Sequence, residues 1–164
     1  MKRVYFDAAA DNGCVALFVD DMEIIPAGTT VYSMSAKDKG PAYKRYSDLH
    51  DIHFIFDDNL PHIDFYTVPL VDIAAEDGDG GYIGSLGQQW DMDCDTPICY
   101  IDKNRRCCLL ERSGRDFLEH ISTWKQNLKP YDGVAFYESK TDAEQTLAFI
   151  DLEYLKTGMR KGGM

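Results

Sequence analysis

Phe65-Tyr-Thr-Val-Pro-Leu-Val-Asp-Ile73, Ala74-Ala75, Glu76-Asp-Gly-Asp-Gly-Gly81 and Tyr82-Ile-Gly-Ser-Leu86 follow one another without a break, and the fold turns on how they are read. The first segment is rich in β-branched and aromatic residues and predicts a strand over 65–73. Glu76 to Gly81 packs three acids and three glycines into six residues, which is turn chemistry. Tyr82 to Leu86 predicts the strand that leaves the turn.

Upstream, Ile52 to Phe56 predicts a strand, set apart from Phe65 by the turn residues Asn59-Leu60-Pro61. Earlier still, Val15–Val19 and Glu23–Ile25 predict a hairpin about Asp20-Asp21, closed by Pro26-Ala-Gly28. Residues 1–50 therefore read as strand-rich. Downstream, Ile98–Ile101 and Cys107–Glu111 predict a second hairpin about Asp102-Lys-Asn-Arg105.

The period then changes. Ser113 stands three residues before Asp116, and Phe117, Leu118, Ile121, Trp124 and Leu128 recur at helical spacing ahead of Pro130, predicting one amphipathic helix. Gly133–Tyr137 predicts a last short strand. Thr141 with Glu144 reads as a capping box, and Leu147, Ala148, Ile150, Tyr154 and Leu155 predict a second helix running to Gly158, with a frayed tail after it. The expectation is an α+β fold in a single domain over 1–164, a largely antiparallel sheet covered on one face by C-terminal amphipathic helices.

Composition bounds the function. The 164 residues are 45% hydrophobic and 12% aromatic, enough for a packed core and unlike disordered or fibrous chains. No apolar run reaches the length of a membrane span, and Met1-Lys-Arg-Val-Tyr-Phe-Asp7 is not a secretory leader, so a cytoplasmic protein is expected. Five cysteines, an odd number, argue for reduced thiols and against a disulfide framework. The formal charge of -11 argues against nucleic acid and against anionic membrane as partners.

That charge is unevenly placed. Between Arg45 and Lys103 there is no Lys or Arg, while the same stretch holds thirteen Asp and Glu. From Lys103 onward the balance is +2. Such one-sidedness either solubilises the chain or forms a negative face that steers a cationic partner.

Catalytic and metal motifs fail on spacing. Gly78-Asp-Gly80-Gly81-Tyr-Ile-Gly84 puts Ile83 where a dinucleotide loop needs its third glycine, and its carboxylates repel phosphate. Calcium loops opening at Asp77 or Asp91 lack the required glycine, with Tyr82 and Thr96 in its place. His50 and His53 lie i, i+3 apart, but on a strand that offset faces opposite sides. Cys107 and Cys108 likewise point apart. No nucleophile elbow occurs, and thirteen acids make any one carboxylate pair uninformative. No cofactor or metal is expected.

Val68-Pro69-Leu70, Ile73-Ala74, the turn Glu76 to Ile83, Pro97-Ile98-Cys99-Tyr100-Ile101-Asp102, and Ser113 followed by Phe117-Leu118 together resemble the SUKH superfamily, which holds fungal regulators of cell-wall glucan synthesis and many bacterial immunity proteins. The resemblance implies a binding protein without catalysis, an antidote that occupies a basic, nuclease-like toxin. An acidic face suits that task, because carboxylates engage the Lys and Arg that otherwise hold phosphate. The residues expected on it are Asp57, Asp58, Glu76, Asp77 and Asp79, with Asp91, Asp93 and Asp95. Tyr82 and Trp90 are the expected aromatic anchors. A regulatory scaffold of the same fold and a small carboxylate-using hydrolase are the alternatives.

Overall fold

The computed structural model of the protein describes residues 3–5, 18–19, 22–24, 29–35, 37, 40–87, 95–146 and 148–149. In chain order the elements are β1 (Arg3–Tyr5), β2 (Phe18–Val19), β3 (Met22–Ile24), β4 (Thr29–Val31), α1 (Pro41–His50) and β5 (His53–Phe54). Next come β6 (Tyr66–Val68), β7 (Val71–Glu76), β8 (Tyr82–Leu86), β9 (Ile98–Ile101), β10 (Cys107–Glu111) and α2 (Gly114–Glu119). A 3-10 helix (Ile121–Gln126), β11 (Lys129–Pro130), β12 (Ala135–Tyr137), α3 (Lys140–Thr146) and β13 (Ala148–Phe149) complete the order. The architecture is α+β. Among the described residues, no helix is long and apolar enough to cross a membrane.

The central sheet runs β11-β10-β9-β8-β7-β4, with β5 sharing β7's edge. Its pairings are antiparallel except β4 with β7, so the sheet is mixed. The 76–81 turn joins β7 to β8 with Glu76 opposite Tyr82, and β9–β10 is the hairpin that its alternation predicts. Because Pro69 has no N–H to donate, the strand predicted over 65–73 is interrupted: β6 pairs with β12 in a separate ribbon, and β7 starts at Val71.

Neighbours along a strand point to opposite faces, and here both faces are buried. Ile83, Ile98 and Leu110 pack with Ile52, Phe54, Phe117 and Trp124, flanked by Tyr43 and Tyr46 of α1. Cys99, Ile101 and Cys107 pack with Val71, Ile73, Phe65 and Val134 on the other side. The sheet is therefore covered on two faces, where one was expected. A register shift between Ile73 and Ala75 inserts one residue into β7, so Ala74 and Ala75 both join the first core. Cys99 and Cys107 are buried free thiols and Cys108 is half-buried.

The helices depart from the expectation in three places. Ser113 does cap α2, its Oγ accepting from the Asp116 N–H at 3.1 Å, but the helix stops at Glu119 and resumes as the 3-10 helix. Ile121-Ser-Thr are poor helix formers, and the Thr123 hydroxyl donates to the His120 carbonyl, which competes with α-winding. The second capping box begins at Ser139, whose Oγ accepts from the Asp142 N–H, and α3 ends at Thr146. Ala148 and Phe149 then pair as a strand with β1, since a short apolar run satisfies either period. Leu147 and residues 150–158 of the predicted second helix lie outside the described ones. The strand-rich reading of 1–50 missed α1, whose apolar stripe towards the core is little more than Tyr43 and Tyr46 and whose Leu49 faces out. Of the predicted first hairpin, β2 pairs antiparallel with β3 within a second sheet ordered β13-β1-β3-β2, while residues 15–17, its turn Asp20-Asp21 and residues 25–28 lie outside the described ones.

Candidate functional site

At the end of α1 the chain turns through Asp51, which holds a left-handed conformation (φ 55) that aspartate tolerates better than most residues. This brings its carboxylate beside the 76–81 turn. Asp51 Oδ1 accepts from the Gly78 N–H at 3.0 Å and lies 3.1 Å from His53 Nε2. Its Oδ2 accepts from Lys125 Nζ at 2.5 Å. The 3-10 helix delivers that lysine because Trp124, buried, donates Nε1–H to the His50 carbonyl at 2.8 Å and stands edge-on to Tyr100, ring centroids 5.3 Å apart.

Asp77 is the internal member of the cluster, with its side chain 1% exposed. Oδ1 accepts from the N–H groups of Asp79 (3.0 Å) and Gly81 (2.7 Å), and Oδ2 accepts from the Tyr100 hydroxyl (2.8 Å). Gly81 has to be glycine: a Cβ there would lie 2.3 Å from the Tyr100 hydroxyl oxygen. Gly80 sits at φ +85, where a side chain is strained. Asp79, at the tip, is 77% exposed and 3.5 Å from Lys125 Nζ.

Oxygens of Asp51, Asp77 and Asp79 lie within 4.8 Å of one another, a spacing that hard cations accept. The chain's own ammonium stands among them, at 2.5, 3.9 and 3.5 Å respectively. Three carboxylates against one lysine leave a local charge of about -2. The Lys125 bond holds the Asp51 carboxyl below its ordinary value, and Asp51 in turn raises Lys125. Burial, and then the bond to Asp77, push the Tyr100 hydroxyl far up, so it stays protonated through the neutral range. Beside the cluster, between the C-terminal half of α1 and the 3-10 helix, runs a groove of about 320 Å³ walled by Asp48, Leu49, Asp51, Trp124 and Lys125. Leu49 is 66% exposed. The chemistry available is charge recognition of a cation with an apolar stem.

The acids singled out from the sequence divide between two ends of the sheet. Glu76, half-buried, and Asp77 and Asp79 belong to the turn at one end. Asp57 and Asp58 are exposed and lie past β5, which runs antiparallel to β7, so the chain has left the turn behind when it reaches them; the Ser33 hydroxyl donates to Asp57. Asp95, exposed, precedes β9, whose first residue pairs with Ser85 near the far end of β8. Tyr82 packs on Phe65 with ring centroids 5.9 Å apart and belongs to the second core, where burial raises its hydroxyl. Trp90, Asp91 and Asp93 lie outside the described residues. Sequence reasoning missed Asp51 and Lys125. The former sits in His50-Asp-Ile-His53, read only for its histidines, and nothing local marks the latter.

Comparison with protein-family models, with curated proteins and with solved structures finds no match to this chain.

Proposed function

We propose that the protein is a non-catalytic protein-binding module of SUKH-like fold, an immunity-type antidote that occupies a basic, nuclease-like toxin in the cytoplasm. The observation that carries this reading is the preorganised cluster of Asp51, Asp77 and Asp79 about Lys125, with Asp79 exposed at its tip. The hydrogen bonds that hold Asp51 and Asp77 lower the ordering cost of receiving a partner's Lys or Arg, and the adjoining groove accepts the apolar stem of such a side chain. The order β7, glycine turn, β8, β9 and Ser113-capped α2 follows the motifs on which the resemblance rests. A hydrolytic role for Asp77 has less support, since its carboxylate is engaged by the turn amides and by Tyr100.

The test is capture at low salt from a lysate of the source cells on immobilised protein, followed by a salt gradient, with an Asp51→Asn/Asp79→Asn double variant run in parallel. The expected result is a basic protein eluting stoichiometrically from the wild-type column and lost from the variant. An empty gradient, or a partner indifferent to salt and to both substitutions, overturns the reading.

A further inference from the structure

The chain holds three Asp-Gly pairs: Asp77-Gly78, Asp79-Gly80 and Asp132-Gly133. Glycine is the residue whose main-chain nitrogen most readily attacks the carboxyl of the side chain before it, because it brings no Cβ and turns freely. Whether a pair reacts then depends on how firmly the fold holds the two groups, and here it holds them unequally.

In the first pair both groups are engaged. The Asp77 side chain is 1% exposed and its oxygens accept from Asp79 N–H, Gly81 N–H and the Tyr100 hydroxyl, while Gly78 N–H donates to Asp51 at 3.0 Å. In the third, the Tyr131 ring packs so closely on Gly133 that a Cβ there would stand 2.3 Å from the ring's hydroxyl oxygen. Asp79-Gly80 is open. Its carboxylate is 77% exposed and meets Lys125 Nζ at 3.5 Å, an exposed ion pair weak enough to part. Gly80 N–H reaches the Asp77 carbonyl only at 3.4 Å, and nothing lies within 4 Å of the place a Cβ on Gly80 would take.

We propose that Asp79-Gly80 is a site of spontaneous covalent modification, at which Asp79 isomerises to isoaspartate while Asp77, in the same turn, is protected. The Gly80 nitrogen attacks Cγ of the protonated Asp79 carboxyl, the N–Cγ bond forms, and the carboxyl oxygen leaves with the amide proton as water. Water then opens the cyclic imide. Addition at Cγ restores aspartate, whereas addition at the main-chain carbonyl breaks the old peptide bond and leaves the chain running through Cγ, with no net change in mass. The product lengthens by one carbon the loop that Asp77 N–H closes onto the Gly81 carbonyl, and shortens by one carbon the stem of the carboxylate facing Lys125. The step needs only water and stands independently of the proposed protein partner.

The test is incubation of the full chain in heavy-oxygen water at physiological temperature, native and in urea, followed by peptide mapping with a protease that cuts before aspartate and not before isoaspartate. In the native chain, isoaspartate and one heavy oxygen should gather on residue 79, with conversion at Asp77 at least about tenfold slower, since its hydrogen bonds must break first. In urea the three pairs should convert at comparable rates. Asp79→Glu, at an exposed tip where the longer acid is accommodated, should abolish the signal at 79, because its ring closure is the slower one. Asn12-Gly13, outside the described residues, is told apart by the mass gained on deamidation. Conversion led by Asp77 or Asp132 in the native chain, the same preference in urea as in the native chain, or an intact Asp79 in a native chain whose urea sample converts overturns the proposal.

Discussion

Two aspartate-led turns stand at the same end of the central sheet, and they are built alike. In the first, Asp77 Oδ1 accepts the N–H groups of residues two and four further on, the Asp77 N–H reaches the Gly81 carbonyl, and the left-handed position is Gly80. In the second, Asp102 Oδ1 accepts from Asn104 and Arg106, the Asp102 N–H reaches the Arg106 carbonyl, and the left-handed position is Arg105. What differs is the other carboxylate oxygen. That of Asp77 goes inward to Tyr100, and that of Asp102 goes outward to the exposed Arg106. The same local rule thus makes a buried anchor in one place and a surface hairpin in the other, and burial sets how much each carboxylate matters.

If burial is the difference, Asp77→Ala should cost about 3 kcal/mol in urea unfolding, because it strands the Tyr100 hydroxyl and two turn amides. Equal losses for Asp77→Ala and Asp102→Ala would break the comparison. Tyr100→Phe, which deprives Asp77 of one bond in a dry site, should cost about 2 kcal/mol by the same measurement. Asp102→Ala should cost only about 1 kcal/mol, since water replaces its partners. The left-handed positions sharpen the contrast. Gly80→Ala should lose about 1 kcal/mol, whereas Arg105→Gly should change stability by less than about 0.5 kcal/mol, as relief of strain is offset by loss of contacts to Asp64 and Phe65.

Acid provides the smallest effect. Burial pushes the Asp102 carboxyl up, but two backbone N–H bonds and Arg106 outweigh it, and Lys125 holds Asp51 down. A depressed folded value means that both groups stabilise the fold above the ordinary 3.8 and lose that contribution as pH falls through the lowered value. Urea midpoints measured at about pH 5 and about pH 3 should fall less in Asp102→Asn and in Asp51→Asn than in the wild type, with Asp51→Asn the smaller effect because its carboxylate is the more exposed.

Legibility followed the range of the signal. β8, β9 and β10 were readable to the residue because alternation and turn composition are local and agree there. The Ser113 cap was readable for the same reason, a side chain three residues from its donor. The helix expected through Leu128 was not, since the break at 120–123 needs only weak propensity and a competing hydroxyl, neither of which disturbs the apolar spacing. α1 escaped because the start and stop signals were Gly40-Pro41 and a left-handed aspartate, with few apolar residues between them. Of the candidate site, Asp77, Asp79 and the glycines were visible as turn chemistry. That Asp57, Asp58 and Asp95 lie towards the other end of the sheet was not legible, because closeness in sequence says nothing about which end of a strand a residue occupies.

By itself, then, the sequence determined the alternation of the strands, the glycine turn and its acids, the capped start of α2 and the imbalance of charge, all of which depend on residues within a few positions of one another. Only the tertiary structure decided that Asp77 is buried while Asp79 is not, and that Lys125 reaches Asp51 across 74 residues of chain. Those outcomes rest on packing: Trp124 fits against Tyr100 and the end of α1, and the neighbouring lysine comes to rest among carboxylates contributed by two distant segments.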